Sequence, residues 1–140
     1  MEKEKLLPLK QYRLLQKMIK KFNLLFLTFC KIGKIKYAPG TVASIITCFL
    51  FFLLVNTFGY LIFFIITLII FFYSFVAINN SFSEFKSEDP QEIVIDEVVG
   101  QILPLLAIPV YETLCPLPLY YYCIFAFITF RLFDIWKPFP

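Results

Sequence analysis

Long apolar runs separated by short polar ones organise this chain. From Lys10 to Phe29, Leu14, Leu15, Met18, Ile19, Phe22, Leu25 and Phe26 recur at helical spacing, with Arg13, Lys17, Lys20 and Lys21 largely between them. This predicts a basic amphipathic helix within residues 1–30, either lying on anionic lipid at the membrane interface or packed on the rest of the protein. Pro39-Gly40-Thr41 then breaks the chain. An apolar helix from Thr41 to Val55 would run about 22 Å, short of a hydrocarbon core of about 30 Å. Asn56 to Gly59 reads as a turn, and Phe58 to Ala77 is long enough to return across a bilayer.

A polar, acidic stretch follows from Asn79 to Asp96, carrying Glu84, Glu88, Asp89 and Glu92, with Asp89-Pro90 as a turn into a new element. The second apolar stretch starts at Val98, is interrupted by Pro104 and Pro109, turns near Glu112 to Pro118 and comes back from Leu119 to Phe130. The prolines make its outward limb irregular or re-entrant. The expected fold is therefore all-α: one membrane-embedded domain over residues 1–140, with two apolar helical hairpins and the N-terminal amphipathic helix. Counting crossings places Gly33 to Thr41, Glu92 to Gly100 and Arg131 to Lys137 on the same face.

Composition agrees, since 60% of the 140 residues are hydrophobic and 16% charged, far from the balance of a soluble domain. No charge occurs from Tyr37 through Ser83, and Glu112 stands alone between Glu97 and Arg131. Ten of the thirteen Lys and Arg residues precede Tyr37, which puts that end on the cytoplasmic side. The lysine-rich start leads into an amphipathic pattern rather than a cleavable signal, so the N-terminus is expected to stay on the protein. A nucleic-acid partner is not expected, because the aromatics lie in membrane-like runs instead of interleaving with the basic residues. Cys30, Cys48, Cys115 and Cys123 have no paired spacing and read as free thiols.

Three motifs carry candidate chemistry. In Lys36-Tyr37-Ala38-Pro39-Gly40-Thr41-Val42-Ala43-Ser44 a turn opens an apolar helix, which Thr41 is placed to cap. The unpaired N–H groups of such a helix start suit a phosphate, with Lys34 and Lys36 adding charge; the plainer reading is a cap alone. In Ile93-Val94-Ile95-Asp96-Glu97-Val98-Val99-Gly100 two adjacent carboxylates sit in an apolar run. They suit Mg²⁺, or mark an acidic helix start. In Phe130-Arg131-Leu132-Phe133-Asp134-Ile135-Trp136-Lys137-Pro138 the charged residues are spaced by three and share a face. Arg131 and Lys137 could take phosphate and Asp134 a metal, or the group is a charged membrane edge with Trp136 at the interface.

Absences narrow the chemistry. The chain has no histidine, which removes Ser-His and His-nucleophile mechanisms. Neither a C-x5-R phosphatase pattern nor a P-loop is present. Metal-assisted attack of water on a phosphoryl group remains.

The three motifs in this order, Ala38 to Ser44, Ile93 to Gly100 and Phe130 to Pro140, resemble the phosphatidylglycerophosphatase A family, the match running from about Phe26 to the C-terminus. The resemblance implies a Mg²⁺-dependent lipid phosphatase of the bacterial inner membrane, converting phosphatidylglycerophosphate to phosphatidylglycerol at the cytoplasmic face. Laid on the motif positions, Asp96, Glu97 and Asp134 would bind metal or activate water, and Arg131 and Lys137 would hold phosphate. Thr41, Ser44 and the backbone at Gly40 would line the headgroup pocket. The chain departs from the family at Phe29, Lys31 and Ala43, where glycines are usual. Family members also continue past the Lys-Pro-x-Pro motif to an Asp-Asp pair and a final helix, so a truncated or split gene, with a second polypeptide supplying that segment, is the expectation. The rival reading is a non-catalytic remnant or lipid-binding membrane protein. A transporter fits less well, because the polar residues gather at one face and not at mid-bilayer.

Overall fold

A computed structural model describes residues 9–81 and 92–136, and every regular element among them is helical. The helices are α1 (Leu9–Leu27), α2 (Pro39–Phe58), α3 (Tyr60–Ser81), α4 (Ile95–Leu106), α5 (Ile108–Leu114) and α6 (Leu119–Trp136), with a short 3₁₀ turn at Ile32–Lys34. Four stretches are long and apolar enough to cross a membrane: α2, α3, α4 with α5, and α6. The Asp89-Pro90 turn and the acids Glu84 and Glu88 lie outside the described residues, as do Lys137 and Pro138.

The first hairpin is longer than its sequence implies. α2 has 20 residues, about 30 Å at the helical rise, so it is not the short helix expected from Thr41 to Val55. It gains Pro39 and Gly40 at its start and Asn56, Thr57 and Phe58 at its end. Ala38 takes a left-handed conformation (φ 45°) and Pro39 occupies the first helical position, where its missing N–H costs nothing. At the other end, Asn56 Nδ2 donates to Phe52 O and Thr57 Oγ1 to Leu53 O, both at 2.8 Å, so these polar side chains feed back into the helix. The expected turn at Asn56 to Gly59 therefore shrinks to Gly59, whose φ of 81° suits a residue without Cβ. Phe51 and Phe63 then meet edge to face at 4.7 Å between ring centroids across the hairpin.

The second hairpin keeps the irregular outward limb. Pro104 lies inside α4, the helix breaks at Ala107, and Pro109 stands in the first turn of α5. Helix continues to Leu114, so the connection is shorter than the expected turn from Glu112 to Pro118. Tyr122 closes it from α6: its hydroxyl donates to Cys115 O and accepts the Leu117 N–H.

α2 and α4 run parallel in direct contact and α6 returns against both, which forms the core with Ala43, Phe51, Val98, Ile102 and Ala126 buried. Large apolar side chains such as Leu61, Phe72 and Phe125 point outward, as a bilayer rather than water requires. All four cysteines are free, as expected.

α1 packs on the rest of the protein through its C-terminal end. Its last turns dock on α3: Asn23 is 1% exposed and accepts a 2.6 Å hydrogen bond from Tyr73 Oη, and Phe26 meets the Tyr73 ring at 4.8 Å. From Gln11 to Phe22 every residue is exposed, apolar and basic alike. Beyond α1, Phe29, Cys30 and Lys31 have φ of 44°, 56° and 72°, a conformation unfavourable for residues with a Cβ. This turn brings Leu27 O to within 3.1 Å of the Val94 N–H and Gly33 against the Glu92 backbone. The entrances of α2 and α4 are thereby stitched together.

Candidate active site

Parallel packing of α2 and α4 puts their N-terminal ends side by side, and antiparallel α6 brings its C-terminal end to the same face. The three polar motifs meet there. A Cβ on Gly40 would lie 2.4 Å from Glu97 Oε1, so the carboxyl group rests directly on the first turn of α2 and would have to move to admit a larger residue. One residue on, Thr41 Oγ1 accepts a 2.9 Å hydrogen bond from Arg131 Nη2 of α6. Thr41 is therefore inside the helix and does not cap it; Ala38 holds the cap position and no side chain bonds there.

Arg131 Nη1 lies 2.8 Å from Asp134 Oδ2, one turn along α6. That contact is a charge pairing, because Nη1 makes no hydrogen bond of regular geometry, and the guanidinium retains capacity to donate. Both side chains are largely shielded, at 17% and 26% exposure, so the attraction is screened less than on an open surface. Glu97 is half-buried and has the carboxyl groups of Asp96 and Asp134 as charged neighbours. Its Oε2 is buried and finds no partner in the protein. Carboxyl groups so close need a proton or a cation among them.

The expected metal residues are only partly assembled. Among the described residues no three acidic or thiol side chains converge as a ready metal cage, since Asp134 turns to Arg131. Asp96 and Glu97, consecutive in the first turn of α4, remain together. That donor set matches the habit of Mg²⁺, which takes one or two carboxylates and fills its octahedron with water and substrate oxygens.

Of the basic residues assigned to phosphate, Lys34 is paired with Glu92 at 3.6 Å, both half-exposed, and Lys36 stands 5.9 Å over the Tyr37 ring. Arg131 is the one seen bonded to the first turn of α2. Lys137 lies outside the described residues. Ser44 is fully buried one turn beyond Gly40, with no partner for its hydroxyl. Gln101 was missed by reading motifs: it is fully buried one turn beyond Glu97, and neither of its amide atoms is bonded. Its signal was present, as a lone amide in an apolar membrane run.

The family model described as Phosphatidylglycerophosphatase A matches residues 25–140. A protein of Bacteroides thetaiotaomicron named putative phosphatidylinositol-3-phosphatase is 39% identical over 107 residues, covering 73% of this chain and 63% of that protein. The phosphatidylglycerophosphatase A of Haemophilus influenzae is 34% identical over 108 residues, covering 77% of this chain and 62% of the relative. The chain thus spans less than two thirds of the length of either relative. No solved structure matches it. With the model covering α2 to α6 and all three motifs in place, this chain belongs to the Phosphatidylglycerophosphatase A family.

Proposed function

We propose that this membrane protein is a phospholipid phosphatase that removes the terminal phosphate of phosphatidylglycerophosphate, with Mg²⁺ held by Asp96 and Glu97 and with Asp134 nearby. The observation that carries the reading is the bond from Arg131 to Thr41. It fixes a guanidinium over the entrance of α2, where the N–H groups of Gly40 and Thr41 have no acceptor within the helix. A phosphate monoester placed there meets two backbone donors, the positive end of a helix and a cation.

Bound Mg²⁺ would draw charge from the phosphoryl oxygens and ease ionisation of water. Glu97, pressed on Gly40 with one oxygen unpartnered, is placed to take a proton from the attacking water. The water oxygen bonds to phosphorus as the ester P–O bond breaks, the leaving glycerol oxygen receives the proton that Glu97 took from water, and inorganic phosphate is released. Arg131 and Lys137 balance the charge on the phosphoryl group, and Asp134 holds Arg131 in position. The basic stretch before Tyr37 supports a cytoplasmic site on a bacterial inner membrane.

The test is phosphate release in detergent from phosphatidylglycerophosphate, and from phosphatidylinositol 3-phosphate in view of the Bacteroides relative's name, with and without Mg²⁺. Mg²⁺-dependent release abolished by Asp96→Asn supports the reading. Lipid binding without release supports the non-catalytic alternative. Release only when the remaining third of a relative is co-expressed assigns part of the site to a second polypeptide.

A further inference from the structure

Beneath the carboxylates lies a second polar level that the proposed chemistry does not use. Gly40 meets Glu97 at the entrances of α2 and α4. Further along, Thr47 and Phe51 of α2 share a cavity of about 180 Å³ with Val98 and Ile102 of α4, so the two helices keep parallel register. Ser44 follows Gly40 by one turn and Gln101 follows Glu97 by one turn, which places both on the α2–α4 seam about 6 Å deeper. Each is fully buried, and the Ser44 hydroxyl and both Gln101 amide atoms lack any protein partner. Glu97 Oε2, one turn earlier on α4 than Gln101, is likewise unpartnered.

From this we infer that Ser44 and Gln101 form a headgroup subsite that binds a neutral hydroxyl of the substrate's polyol, next to the phosphate held at the α2 entrance. The chemistry of the two side chains selects the ligand. A phosphate oxygen only accepts hydrogen bonds, whereas an alcohol both donates and accepts, as do a carboxamide and a serine hydroxyl. Unpaired polar groups at this depth in an apolar bundle are retained where they have a ligand or an enclosed water to meet. A polyol phosphate carries its neighbouring hydroxyl a short reach from phosphorus, matching one helical turn. The subsite rests on the phosphatase reading for the position of the phosphate, and it makes Gln101 a specificity residue. Glycerol and inositol headgroups share the required hydroxyl.

The experiment uses the full chain in detergent and three short-chain lipids: phosphatidylglycerophosphate, its analogue lacking the central glycerol hydroxyl, and phosphatidylinositol 3-phosphate. Equilibrium binding is read from lipid-induced shifts in unfolding temperature, and phosphate release is measured in parallel. The protein should favour one hydroxyl-bearing lipid over the deoxy analogue on the order of a hundredfold, and which one identifies the polyol. Gln101→Met and Ser44→Ala should each bring that preference below roughly tenfold by weakening only the hydroxyl-bearing lipid. Equal binding of the lipids by the unaltered protein, or an equal loss for all of them in the variants, overturns the subsite and assigns the pair to enclosed water. Should Gln101→Met not fold, Ser44→Ala decides, since it only removes an unbonded oxygen. Discrimination without phosphate release keeps the subsite and refutes the phosphatase; release without discrimination does the reverse.

Discussion

Arg131 of α6 donates a 2.9 Å hydrogen bond to the hydroxyl of Thr41 in α2, 90 residues earlier in the chain. The contact orients the guanidinium over a helix entrance, and Asp134 holds its other nitrogen at 2.8 Å. Lysine offers a point charge without the planar fork. Arg131→Lys should therefore lower kcat/KM for phosphatidylglycerophosphate by roughly a hundredfold, and Thr41→Val, which loses only the orienting bond, by about tenfold. Steady-state phosphate release checks both. Equal activity in Arg131→Lys would show that charge alone suffices.

Two glycines in tight contact should fail in different ways. At Gly33 a Cβ would lie 1.9 Å from the Glu92 backbone oxygen, whereas at Gly40 the nearest obstacle is the Glu97 carboxylate, a side chain that can move. Gly33→Ala should cost stability, by about 1–3 kcal/mol as overpacking does, and lower the unfolding midpoint in detergent. Gly40→Ala should melt close to the unaltered protein yet lose most activity, because the added methyl group displaces Glu97. The reverse order of effects would remove Glu97 from the reaction.

Replacing the adjacent carboxylates separates charge from shape. Asp96→Asn and Glu97→Gln preserve size, and each should reduce phosphate release by at least about a hundredfold while the protein still folds. The relief of repulsion among Asp96, Glu97 and Asp134 should leave the unfolding midpoint equal or higher. A Mg²⁺-induced rise in that midpoint should be present in the unaltered protein and absent from Asp96→Asn. Retention of the rise in the variant would place the metal elsewhere.

The turn after α1 should be improvable. Lys31 has φ 72° and Phe29 φ 44°, and a left-handed residue with a Cβ costs roughly 1–2 kcal/mol that glycine avoids. Lys31→Gly should raise the unfolding midpoint without changing kcat, since Lys31 is exposed and its side chain plays no part in the proposed site. Thermal unfolding followed by circular dichroism reads this directly.

Docking of α1 should depend on Tyr73. Tyr73→Phe keeps the 4.8 Å ring contact with Phe26 but leaves buried Asn23 without its hydroxyl donor. Unpairing a buried amide costs about 1–3 kcal/mol. The variant should open α1 to protease attack around residues 11–22 sooner than the unaltered chain, with α2 to α6 still protected. Unchanged cleavage kinetics would mean that the apolar contacts suffice.

The sequence by itself determined the membrane class, the two hairpins and the face on which Pro39-Gly40-Thr41, Asp96-Glu97 and Arg131 gather. Apolar run length and charge position follow from what a bilayer tolerates, and both are local properties of the chain. Helix ends were less legible: Asn56 and Thr57 read as turn formers until their side chains are seen returning to Phe52 O and Leu53 O. Tertiary structure alone decided which groups touch. It moved Thr41 from cap to partner of Arg131, turned Asp134 toward that arginine, and seated Glu97 on Gly40. It also buried Ser44 and Gln101 without partners, each one turn beyond the contact of Gly40 with Glu97. Such contacts join residues far apart in the chain, and no local pattern encodes them, because register between helices is chosen by side-chain packing over their whole length.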